Sequence, residues 1–110
     1  LAALAAWLAI GTGACLAQED VPAGSGDVAL FASAWVCGEE PLAGRLRATV
    51  LLGMAQAGRP AVEIVEARQA FLDGLREGTR TARRPSAAAC GDVVAAVQAR
   101  LAALTEGRKP

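Results

Sequence analysis

The chain contains no histidine and no tyrosine. Without histidine it lacks the commonest general base and the commonest metal ligand. Ser–His and Cys–His nucleophile pairs are excluded with it. Aromatics are scarce: two Phe and two Trp in 110 residues. Only Phe31, Trp35 and Phe71 lie beyond the first seventeen residues, too few for a base-stacking platform. Cysteine is scarce too, with three in all. None forms a CxxC pair for zinc or dithiol chemistry, and none a CxxCH haem attachment. The phosphate-cradling patterns GxxxxGK[ST] and GxGxxG do not occur. Net charge is likewise missing, since eleven bases balance eleven acids. A nucleic-acid binder usually carries a strongly basic domain, so that partner is not expected. These absences predict a protein that is not an enzyme and takes no cofactor and no metal. Glu63 and Glu66 share a helix face, but a metal-carboxylate site needs further ligands, usually including histidine. They read as a solvated face paired to Arg59 or Arg68.

The first seventeen residues lack charge altogether. LAALAAWLAI is an apolar run, and GTGACLA is a run of small residues. That is the order of the apolar and cleavage regions of a secretory signal. The positive start of such a signal is missing and the chain opens on Leu, so residues 1–17 are expected to be a partial signal. Cleavage is expected after Ala17, with Cys15 at −3. In an alternative, Cys15 is a lipid-attachment cysteine, with Thr12 standing where a lipobox usually has Leu. Two rival readings are a transmembrane anchor, which takes about twenty apolar residues, and a buried helix of the domain. Cys37 and Cys90 remain once Cys15 is removed or acylated. An even pair in an exported chain predicts a Cys37–Cys90 disulfide. Separate buried thiols are the competing reading.

What remains is patterned for helix. Residues 18–26, QEDVPAGSG, carry Pro22, two Gly and a Ser and read as a linker. Asp27 is expected to cap a first helix whose stripe is Val28, Phe31, Ala32 and Trp35. Gly38 is expected to end it. Pro41 suits the first position of a second helix, with Glu39 and Glu40 favoured by its dipole. Its apolar positions are Leu42, Leu46, Val50, Leu51 and Met54, with Arg45 and Arg47 on the polar side. Gly58 and Pro60 stop and restart the chain. A third helix is expected from about Pro60 to Glu77, striped by Ile64, Val65, Phe71, Leu72 and Leu75. Gly78 is its expected end, although TRTARR is able to carry another turn. Pro85 and Ser86 open the last segment, where Cys90, Val94, Val97, Leu101 and Leu104 repeat at helical spacing. Asp92 is a second candidate cap there. The prediction is all-α: a small bundle of about four short helices over 27–106, stapled by one disulfide, with a frayed tail at 107–110.

Charge is unevenly spread. From Gln18 to Glu40 there are five acids and no base; from Pro41 onward there are eleven bases and six acids. Arg76, Arg80, Arg83 and Arg84 form the strongest local cluster. They read either as contacts for an anionic surface or as a solvated helix end favoured by the dipole.

The segment SAWVCGE, with Trp35 two residues before Cys37 and a second Cys about fifty residues on, resembles small acid-stress chaperones of the bacterial periplasm. That resemblance implies a helical domain with one disulfide that exposes apolar surface in acid. It covers only the Trp35-x-Cys37 motif and the cysteine layout. Gly38 and Pro41 break the helix where that family continues one. The leading expectation is an exported, non-enzymatic periplasmic or secreted protein acting through contact with another protein or with itself. The alternatives are an acid-responsive chaperone, and a lipoprotein or anionic-membrane-surface protein. Membrane attachment is expected only if Cys15 is acylated or the signal stays uncleaved.

Overall fold

The structure, a computed structural model, describes residues 25–81, 83 and 85–106. The expected signal at 1–17, the linker up to residue 24, the tail at 107–110 and Arg84 lie outside the described residues. Four helices follow one another: α1 Ser25–Val36, α2 Glu40–Gln56, α3 Ala61–Thr81 and α4 Ala87–Glu106. No strand occurs among the described residues. The fold is the all-α, disulfide-stapled bundle that the periodicity predicts.

Both interior stops work by the same geometry. Gly38 and Gly58 take φ of +83° and +77°, which L side chains rarely adopt. At the first, the Gly38 N–H donates to the Trp35 carbonyl and the Glu39 N–H to that of Ala34. At the second, the Gly58 and Arg59 N–H groups donate to Ala55 and Met54 in the same way. This double bond is the Schellman closure, which satisfies carbonyls left open at a helix end. Pro41 sits in the first turn of α2, where no N–H is needed.

The core is a layer with one side chain from each helix. Phe31, Leu46, Phe71 and Val97 are the largest fully buried side chains. Phe31 and Phe71 meet edge to face, with centroids 5.2 Å apart and planes at 83°. Such a pair contributes about 0.5–1.5 kcal/mol beyond its buried area. Ala34, Ala43, Val50 and Leu101 complete the core, and Trp35 packs against it half-buried.

Helix α1 touches all three others, and α2 touches both α3 and α4; α3 and α4 do not touch among the described residues. The four helices therefore close a ring in the order α1, α3, α2, α4, and α1 and α2 also touch across it. Close approach of α3 to α1 depends on two glycines. A Cβ at Gly74 would overlap Val28 Cγ1, and one at Gly78 would lie 3.2 Å from Ala32 Cβ.

Four local expectations change. α1 starts at Ser25, so Asp27 is in its first turn and not its cap. α3 runs through Gly78 to Thr81 because that glycine is a packing position against Ala32. Val65 is 65 % exposed rather than part of the buried stripe, and Val62 is 62 % exposed. In α4 the cap is Ser86, whose hydroxyl accepts the Ala89 N–H at 3.1 Å, so Asp92 is helical.

Candidate functional site

The most constrained place in the molecule is where α1 meets α4. Cys37, in the turn that ends α1, is bonded to Cys90 in the first turn of α4, with Cα atoms 5.6 Å apart. The predicted pairing is therefore formed, because the Gly38 closure and the Ser86 cap bring two helix ends together. At the opposite end of α1, Asp27 is only 5 % exposed. Its carboxylate accepts two bonds from Arg100, from Nε at 2.8 Å and from a terminal guanidinium nitrogen at 3.2 Å. The hydrogen bond to Asp27 raises the Arg100 pKa above its ordinary value; burial opposes this, and the carboxylate charge adds to it. A carboxylate this buried needs such a partner, since an uncompensated buried charge is costly.

The two tethers share one register. From Asp27 to Cys37 is ten residues, and from Cys90 to Arg100 is also ten. The helices run antiparallel, so each rise of about 15 Å matches the other. One clamp is covalent and the other ionic, at opposite ends of one helix pair. Sequence reasoning found the first by counting cysteines. It missed the second, because nothing near Asp27 signals a partner 73 residues away.

The arginine cluster is distributed differently from its spacing in sequence. Arg76 and Arg80 are exposed on the last turns of α3, each beside an acid three residues earlier. Arg80 bonds Glu77 at 2.6 Å, and Arg76 lies 3.9 Å from Asp73. Arg83 is exposed in the connection that follows. Much of the local positive field is thus answered within the helix, and exposed pairs of this kind are worth little to stability. Glu63 pairs with Arg59 at 2.7 Å. Arg47, expected on the polar side of α2, instead lies over the Phe31 ring at 5.5 Å, a cation–π contact.

No protein family, no characterised protein and no solved structure matches this chain.

The chemistry on offer is therefore read from the chain alone. Among the described residues, no three His, Cys, Asp or Glu side chains converge to hold a metal ion. The thiols of Cys37 and Cys90 are consumed in their bond. Surface is the more distinctive resource. α4 is long and apolar enough, at mean hydropathy 1.4, to cross a membrane by length and composition. Yet only 11 % of its apolar window is buried in the bundle. Its inner face supplies Val97 and Leu101 to the core, while Ala88, Ala95, Ala99 and Ala102 lie exposed. Leu52, Val62 and Val65 add exposed apolar area on α2 and α3.

Proposed function

We propose that this is an exported, non-enzymatic helical protein that works by protein–protein contact in the periplasm. The observation that carries the reading is the Cys37–Cys90 bond. Structural disulfides persist in oxidising compartments and are rare in the cytosol. Its support is joined by the uncharged apolar run at 1–17, which has the order of an export signal. Contact rather than catalysis fits the exposed apolar surface of α2, α3 and α4 and the lack of a nucleophile–base pair in a chain without histidine.

Intact mass of the protein, made with its full natural N-terminus in a bacterial host, tests the reading. A form starting at Gln18 that gains two hydrogens on reduction is the expected result. A form starting at acylated Cys15 would move the activity to a membrane surface. An uncleaved chain with free thiols would end the proposal. Contact is tested separately by crosslinking in extracts. A protein that stays monomeric and captures nothing would remove the second half of the claim.

A further inference from the structure

The two halves of α4 are held to the bundle by different means. Val97 and Leu101, its two buried side chains, lie in the second half. Leu104 packs against the core beside them, and Arg100 donates to Asp27 from the same stretch. In the first half, residues 87–96, no side chain is buried. Val93 alone from this half packs against the core. No support comes from α3, which does not touch α4 among the described residues. Besides Val93, what fixes the first half is one covalent link, from Cys90 to Cys37 at the end of α1. The helix is also weak there in its own right. Gly91 follows Cys90 directly, and glycine is among the least favourable residues inside a helix. Nothing lies within 4 Å of a Cβ built on Gly91, so packing does not require it.

From this division we infer that the Cys37–Cys90 bond is a redox latch: its reduction frees residues 87–96 to open from the bundle while the second half of α4 stays docked. The reductant is a dithiol. One of its thiolates attacks a sulfur of the bridge, forms a mixed disulfide and releases the other cysteine, which takes up a proton. The second sulfur of the reductant then displaces the remaining cysteine, and the reductant leaves as its own disulfide. Two electrons and two protons pass to the protein, so Cys37 and Cys90 both end as thiols. Such attack needs access to a bridge sulfur, and neither cysteine is fully buried. With the link gone, Val93 is the one core contact left in the first half, and stretches with few buried contacts open without unfolding the rest. Opening uncovers Val93 and the patch of core beneath it, so apolar surface becomes available on reduction. The inference goes beyond the contact reading and needs neither export nor a partner, so either can fail without the other.

Hydrogen exchange decides it, on the oxidised full chain carrying Cys15→Ser so that no third thiol can shuffle the bridge. In the oxidised protein, amides at 91–95 and at 98–104 are expected to exchange at similar rates. After dithiothreitol, those at 91–95 are expected to exchange about tenfold faster than those at 98–104, at a rate that low urea barely changes, since local opening exposes little surface. Gly91→Ala is expected to slow that fast exchange several-fold in the reduced protein by strengthening the helix. Cys37→Ser combined with Cys90→Ser is expected to reproduce the reduced pattern without reductant. Equal acceleration of both halves would overturn the inference, because reduction would then only weaken the bundle as a whole. Protection at 91–95 that survives reduction would overturn it as well.

Discussion

The pair formed by Asp27 and Arg100 is asymmetric, and that asymmetry is measurable. Asp27 is buried, whereas the Arg100 side chain is 43 % exposed. Removing the carboxylate by Asp27→Ala leaves a guanidinium that can turn to water, at a cost of about 1–3 kcal/mol. Arg100→Met strands a carboxylate among apolar atoms, at a cost of about 3–5 kcal/mol. Urea unfolding of both variants is expected to rank the arginine change as the worse, and equal losses would contradict the geometry. The pair also has a definite pH sense on the arginine side. The hydrogen bond to Asp27 holds the Arg100 pKa above its ordinary value. Its contribution is therefore complete below the ordinary arginine value and is lost only as pH rises through the still higher folded value. A double-mutant cycle between the two residues is expected to return the same coupling at pH 7 and pH 10. At this scale the sequence was half legible. Asp27 looked like a cap because local pattern sees only neighbours, and its partner is set by how α1 and α4 dock.

Glycine has opposite meanings in different helices of this bundle. Gly53 lies inside α2 with nothing within 4 Å of a built Cβ. Gly53→Ala is expected to raise stability by about 0.5–1 kcal/mol through helix propensity and reduced freedom of the unfolded chain. Gly74→Ala meets Val28 and is expected to lower stability by about 1–3 kcal/mol. Adding Val28→Ala should restore part of that loss, and thermal melts of the three variants decide it. The stops at Gly38 and Gly58 were legible because each glycine falls where an apolar stripe ends and a proline follows within three residues. Gly78 follows the end of an apolar stripe too, but its next proline, Pro85, is seven residues on. Its role against Ala32 exists only once α3 lies on α1. The stripe of α3 was misjudged at Val65 for a related reason. Periodicity marks an apolar face but does not say how far along the helix a neighbour extends to cover it.

Taken whole, the bundle is small, and its core is one layer with a few supporting side chains. A cross-link over 53 residues of sequence contributes about 4 kcal/mol on the chain-entropy account, a large share of the stability of a domain this size. Replacing both Cys37 and Cys90 by Ser is expected to lower the urea midpoint steeply with an unchanged helical spectrum at low temperature. A midpoint that does not move would show that the remaining contacts suffice. Phe71→Ala is expected to cost about 3–5 kcal/mol, because it is the one buried side chain of α3. The helix count and the cysteine pairing were readable from spacing and composition. The order of the helices around the ring was not, since four similar amphipathic segments specify that they pack but not which two touch across the middle.

The place of α1 in the chain fixes the timing of folding. α1 is the first described helix to be synthesised and α4 is the last, yet the two are clamped to each other. Two of the anchors of α1, the Arg100 contact and the Cys90 bond, do not exist until α4 has been made. A nascent chain stopped before residue 90 would carry a first helix with an unanswered carboxylate at one end and a free thiol at the other. The domain therefore closes late, and a chain that closes late stays threadable while it is being made.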